Sequence, residues 1–200
     1  FDTYFNYNLD YDLRNQPYKP SDGYRTVFNQ ELPITSSTYE IVNSIEYSKY
    51  QQLIGDMIGR FSIFSKAVNT VSGKDVRVSK RAYIPASKLR GFEPGKVGPI
   101  DNNDYIGGNY VTSVNLSATL PQLLPSLENT DFSVFMDAGN VWGVDHSSSV
   151  KENGKIRSAV GIGVDFLTPI GPLTFSLSQN ITKASTDTTQ SFRFNLGTSF

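Results

Sequence analysis

The sequence has no cysteine and a single histidine, His146. Without thiols there is no cysteine nucleophile, no thiolate metal site and no disulfide. An excess of basic residues is missing as well. Lys and Arg number 18 against 19 Asp and Glu, the net charge is -1, and the pI is about 5.8. That removes the electrostatic basis for binding nucleic acid, which needs a basic face to neutralise phosphates. No apolar run approaches the roughly 18–20 residues of a membrane-spanning helix. A secretory leader is lacking too. Phe1-Asp2-Thr3-Tyr4-Phe5-Asn6-Tyr7 opens directly on a strand-like pattern, which we read as a start inside a longer protein.

Aromatic residues are abundant, with 13 Phe and 11 Tyr among 200 residues. Yet hydrophobic residues reach only 38% and the mean hydropathy is -0.30. A β-barrel in lipid has this profile, because only alternate residues of each strand face the bilayer. A soluble β-sandwich shares these averages, so the decision rests on the pattern along the chain.

That pattern has a period of two. Phe192, Phe194, Leu196, Thr198 and Phe200 fall on one face of the last segment, with Arg193, Asn195, Gly197 and Ser199 on the other. Over 156–168, Ile156, Val160, Ile162, Val164 and Phe166 oppose Arg157, Ala159, Gly161, Gly163 and Asp165. Similar alternation marks strands near 3–13, 22–33, 39–48, 54–68, 108–121, 131–142 and 171–182. These lengths are long for a globular strand but suit a tilted strand crossing a bilayer. Connections alternate between tight turns, such as Pro169-Ile170-Gly171-Pro172, and longer polar stretches at 143–154 and 180–190. Tight turns at one end and long loops at the other describe an outer-membrane barrel.

The expected fold is therefore an all-β, antiparallel transmembrane β-barrel. Nine strands is an odd count, whereas single-chain bacterial barrels normally have an even one. We expect the C-terminal half of a larger, sixteen-strand barrel; an eight-strand barrel would require one segment to be miscounted. On this reading the whole of 1–200 is barrel. Residues 1–70 form four strands, 70–106 a long loop, and 107–200 five closing strands.

Two features invite a functional reading. A closing strand with an aromatic terminus, Phe200, is a surface that strand addition can recognise. It can equally be a strand that stops in an interfacial girdle. The loop 70–106 is far longer than loops in compact domains, and it carries Leu89-Arg90-Gly91-Phe92. Either it is a disordered external loop, or it folds into the lumen, where Arg90 needs an acidic partner. Alternation supplies a candidate for that partner. Phe132, Val134 and Met136 form an apolar face, which turns Asp137 inward.

Leu89-Arg90-Gly91-Phe92 resembles the Val-Arg-Gly-Phe/Tyr loop signature of the BamA family of barrel-assembly proteins. Further resemblances follow in order: Gly107-Gly108-Asn109 at a strand start, Met136-Asp137-Ala138-Gly139-Asn140-Val141-Trp142, Ile156–Ile162 with Thr168–Leu173 as a penultimate hairpin, and Phe192–Phe200 as the closing strand. The likeness covers about residues 75–200; residues 1–74 share the strand pattern only. It implies that Arg90 lies inside the barrel and pairs with Asp137. It implies a seam at the closing strand, with Phe192, Phe194, Leu196 and Phe200 on it and Gly197 allowing a kink. Family members often carry a glutamate on the strand after the loop; the aligned position here is Ser117. Leu89 replaces the usual valine.

The function so implied is non-enzymatic folding and insertion of client β-barrel proteins in the bacterial outer membrane. The implied partners are the client outer-membrane proteins, assembly lipoproteins of a multi-subunit complex, and outer-membrane lipid. No cofactor, metal or nucleic acid is implied. Rival readings are a two-partner secretion or autotransporter-assembly barrel, a passive porin, and a soluble β-domain.

Enzymatic readings are weaker. His146 lies in the polar run Asp145–Ser149 with no oxyanion site marked. Gly161-x-Gly163-x-Asp165 lies inside a strand with no helix to hold a phosphate, and its small residues are better read as making room in the lumen. Asp101-Asn102-Asn103-Asp104 hints at calcium but lacks the loop glycine and the closing bidentate glutamate.

Overall fold

The computed structural model describes residues 1–121, 130–144, 149–168 and 171–196. Among these residues nine long strands form one antiparallel sheet in sequence order. They are β1 (Thr3–Asp12), β2 (Gly23–Thr35), β3 (Glu40–Gln52), β4 (Ile58–Thr70), β5 (Tyr110–Pro121), β6 (Thr130–Trp142), β7 (Arg157–Thr168), β8 (Gly171–Thr182) and β9 (Phe192–Leu196). β1 and β9 are the two edges, with no pairing between them among the described residues.

Where the strand ends differ from the periodicity, local chemistry explains it. Alternation suggests a strand from 54, but residues 53–57 turn instead. Leu53 N–H donates to the Met57 carbonyl at 2.8 Å, Met57 N–H to the Ile54 carbonyl at 3.1 Å, and Gly55 supplies a φ of +57°. Pro33 sits inside β2, where it cannot donate to the ladder. The register shifts beside it, opposite Thr3/Tyr4.

The register stacks alternate residues into rows that cross the sheet. One inner row runs Ser48–Ser62–Asn115–Asp137–Ala159–Asn180. The neighbouring outer row reads Phe61–Leu116–Met136–Val160, and all four of these side chains are exposed. The sheet thus turns its apolar face outward, the reverse of a water-soluble sheet.

Aromatic rings gather at both ends of the outer face. Near the short-turn end, Tyr11, Tyr24, Tyr47 and Phe61 make a diagonal chain with ring centroids 6.1, 5.9 and 6.4 Å apart. Phe175 lies 5.9 Å from Phe166 and 5.1 Å from Phe194. At the long-loop end Tyr110 and Trp142 are 5.9 Å apart. Such belts place amphipathic rings at the two bilayer interfaces.

The buried core lies inside, between the sheet and the segment joining β4 to β5. Val76, Ala82, Ile84, Leu89, Phe92 and Val97 of that segment pack on Val68, Val111, Val141 and Ala159 of the wall. The segment has more local order than its weak periodicity suggests. It has 3-10 turns at Val78–Lys80 and Ala86–Lys88 and short strands at Gly91–Phe92, Ile100–Asp101 and Asp104–Tyr105.

Candidate functional site: the inner loop and the closing strand

The loop begins and ends at a built neck. Ala82 and Gly108 exchange backbone hydrogen bonds of 2.7 and 3.0 Å. Gly108 permits this because a Cβ there would lie 2.5 Å from the Trp142 carbonyl oxygen. Below the neck, Arg77 grips Glu40 at the head of β3 through Nε at 2.9 Å and Nη2 at 2.9 Å. Its Nη1 reaches Asp2 at 2.6 Å. The hydrogen bond from Arg77 holds the Asp2 carboxyl well below its ordinary range, at about 2.

From the neck the chain descends to the Arg-Gly-Phe signature against β5, β6 and β7. Arg90 and Asp137 are brought together. Arg90 Nε donates to Asp137 Oδ2 at 2.7 Å and Nη2 to Oδ1 at 2.8 Å, a bidentate fork. The Arg90 backbone N–H adds a third bond to Oδ2 at 2.9 Å. The carboxylate is fully buried, so the loop supplies nearly all of its hydrogen-bonding environment. The guanidinium carbon lies 3.3 Å from the centroid of the Phe135 ring, which adds a cation–π contact in a poorly solvated place.

Asp137 has one further donor, and sequence reasoning missed it. The residue directly across from Asp137 on β5 is Asn115, two positions before the Ser117 that alignment had marked. Asn115 Nδ2 donates 2.9 Å to Asp137 Oδ1 and 2.8 Å to the Lys88 carbonyl. Ser117 instead pairs with Arg60 and Phe135. An amide thus stands beside the ion pair, and Asp137 is the carboxylate that meets Arg90.

The other signature residues have separate reasons for their identity. Gly91 has φ +89°, and a Cβ there would meet the Ala159 Cβ at 2.8 Å. Its carbonyl accepts from Asn180 Nδ2 at 2.8 Å. Only glycine lets the loop lie this close to β7 and β8. Leu89 and Phe92 are core residues, exposed by 4% and 1%. Gly91–Phe92 also pairs as a two-residue strand with Thr189–Gln190, just before β9. The glycines of β7 serve the same packing. A Cβ on Gly161 would strike the Phe135 ring at 2.5 Å, so its absence leaves room for the ring on which Arg90 rests.

On the closing strand, Phe192, Phe194 and Leu196 lie on the outer face and are about half exposed. Phe194 and Phe192 pack on Phe175 of β8, at 5.1 and 6.4 Å between centroids. Gly197 and Phe200 lie outside the described residues, as does His146. Asp101–Asp104 is a two-residue hairpin. Asn102 and Asn103 take φ of +47° and +77°, as a type I′ turn requires.

Two inward arginines also went unassigned in the sequence. Arg157 and Asp187 are both fully buried and meet at 3.0 Å, tying β7 to the β8–β9 connection. Arg193 of β9 donates through Nη1 to the Ala86 carbonyl and through Nη2 to the Phe92 carbonyl. A signal was present, since both are charges at inward positions of a barrel strand, where a partner is required.

Known proteins resemble this chain along most of its length. The Omp85 superfamily domain matches residues 1–200. The chain is 26% identical over 223 aligned positions to "Outer membrane protein assembly factor BamA" of Neisseria meningitidis serogroup B, covering 90% of this chain and 26% of that protein. It is 26% identical over 132 positions to the protein of the same name from Neorickettsia risticii, covering 64% of this chain and 18% of that one. The chain therefore spans about a quarter or less of these relatives. Among solved structures, BamA from Haemophilus ducreyi lacking POTRA domains 1–3 superposes with a TM-score of 0.83 at 23% identity, covering 96% of this chain and 41% of that one. That likeness shows the fold, an antiparallel β-barrel. Matched along its whole length, the chain belongs to the Omp85 superfamily.

Proposed function

We propose that this chain is the closing part of an outer-membrane protein assembly factor, which folds and inserts client β-barrel proteins through a lateral seam at its last strand. The observation that carries the reading is the Arg90–Asp137 fork, whose carboxylate is fully buried. The fork, with Asn115, fixes the loop tip to the inner wall of β5 and β6. A barrel whose wall must yield and recover needs an internal strut that fixes its resting shape.

The chemistry of the step is strand addition. An edge at β9 offers unpaired N–H and C=O groups to an incoming strand, and backbone groups in lipid must be paired. Pairing client strands and burying their apolar faces in lipid supplies the driving force, so the reaction is non-enzymatic and needs no cofactor. The outer-face Phe192, Phe194 and Leu196 form the lipid side of this edge. Gly197 and Phe200 belong to the same seam in this reading, and lipid thinned beside a kinked edge lowers the cost of insertion. Clients and assembly lipoproteins are the expected partners.

The test uses the full-length protein carrying Arg90→Ala in cells that depend on it. Outer-membrane protein levels and growth are expected to fall, while the variant itself still reaches the membrane with heat-modifiable mobility. Normal growth with normal client levels would overturn the reading. Intact client levels with loss of one secreted partner would instead identify a secretion barrel.

A further inference from the structure

Arg193 stands on the closing strand, yet its side chain belongs to the inner loop. It lies inward, opposite Ser176 of β8, and is 6% exposed. Nη1 donates to the Ala86 carbonyl and Nη2 to the Phe92 carbonyl, with Gln190 Oε1 at 3.5 Å. Ala86 opens the 3-10 turn before the signature, and Phe92 is the signature's last residue. One guanidinium therefore straddles the segment that Arg90 fixes to Asp137.

What Arg193 lacks is informative. Among the described residues no carboxylate forms an ion pair with it, and its buried Nε has no hydrogen-bond partner. The nearby Asp137 is already held by Arg90. A buried cation held only by neutral carbonyls is less well compensated than one facing a carboxylate. Arg157, paired with Asp187, shows the compensated arrangement in the same barrel. The Arg193 contact can therefore be released at lower cost, since leaving the loop returns an incompletely satisfied charge to water.

We propose that Arg193 is a positioning residue that latches the closing strand to the inner loop, so that loop docking and strand release form one coupled equilibrium. Its acceptors are main-chain oxygens, so side-chain changes at 86 or 92 do not remove them. Only displacement of the loop or of the strand breaks the latch. Coupling of this kind is reciprocal: what loosens the loop frees the strand, and the converse. The proposal rests on the seam reading for its consequence in assembly, but not for the contact itself.

Hydrogen–deuterium exchange of the full-length protein in lipid bilayers, without client, tests this. Asp137→Asn weakens the hold on Arg90. It is expected to raise exchange over 86–92 and, through Arg193, over 192–196, by about ten- to a hundredfold, the range for losing a hydrogen bond to a charged group. Exchange over residues 7–12 of β1, which make no hydrogen bond or ion pair with 86–92, should stay unchanged. In an Arg193→Met background, which has no donor for either carbonyl, Asp137→Asn should still loosen 86–92 while the response of 192–196 shrinks to what the Gly91–Phe92 pairing with Thr189–Gln190 carries. If Arg193→Met does not insert, Arg193→Gln takes its place. No response of 192–196 to Asp137→Asn, or an equal response in both backgrounds, would overturn the proposal. Because no client is present, this outcome and the failure of the assembly reading can be told apart.

Discussion

The inner wall of β1–β4 and the inner wall of β5–β9 are built from the same alternation but satisfy their polar groups differently. On the first, Asn6, Asn8, Asn29, Glu31, Ser44 and Lys66 surround an open cavity of about 380 Å³. Its ion pair Arg25–Asp10, at 2.6 Å, leaves both side chains about one-third exposed. On the second, the loop fills the space and the side chains of Asp137 and Arg157 are fully buried. The Arg25–Asp10 pair can fall back on water. Asp137 depends on protein partners alone, Arg90 of the loop and Asn115 of the wall, and that dependence makes the loop a strut rather than a cover.

Single substitutions sharpen this contrast. The largest effect is expected from Asp187→Ala, which leaves the buried Arg157 with neutral acceptors only, Asn140 and the Asn153 and Lys155 carbonyls. Removing one member of a buried pair costs about 3–5 kcal/mol. Urea unfolding of the full-length barrel, followed by heat-modifiable mobility, measures it; a loss below about 1 kcal/mol would show that Arg157 is better solvated than its burial implies. Gly91→Ala comes next, at about 1–3 kcal/mol, because a side chain must adopt the left-handed backbone and also press on Ala159. Proteolysis within 86–92 should rise with it. The smallest effect is expected from Arg25→Ala, at about 0–1 kcal/mol, as for other exposed pairs. A loss equal to that of Asp187→Ala would erase the distinction between the walls.

Acid adds a further contrast. The Asp2 carboxyl titrates at about 2 in the folded protein rather than at 3.8. Its contact with Arg77 therefore contributes stability above pH 4 and loses it as the pH falls through about 2. The protection of the Tyr4 amide, taken relative to its intrinsic exchange rate at each pH, should fall across that window in the wild type and not in Asp2→Asn. A flat profile would remove Asp2 from the loop's anchorage.

Much of this was legible because strand alternation is local. The period of two places Asp137 inward from Phe132, Val134 and Met136 alone, and the long segments mark the strands of the sheet. Arg90 and Asp137 were connected by chemistry, a charge that needs a partner and a carboxylate turned inward. Asn115 was not legible, because its place beside Asp137 depends on the β5–β6 register, which the 122–129 connection hides from pattern reading. Arg193 is an inward charge by its alternation, but its partners were not legible. Its acceptors are the main-chain carbonyls of Ala86 and Phe92, and carbonyls leave no trace in side-chain identity. The 3-10 turns and two-residue strands of the loop are too short to carry periodicity, and only packing against the wall orders them.

If the Arg90–Asp137 fork acts as one unit in assembly, removing either half should be equivalent to removing both. The rate at which the purified full-length protein folds a client barrel into liposomes, compared among wild type, Arg90→Ala, Asp137→Asn and the double variant, measures this. A similar, large loss is expected in each single variant, with no further loss in the double. Unchanged rates in the single variants, or losses that multiply in the double, would show that the fork is not such a unit.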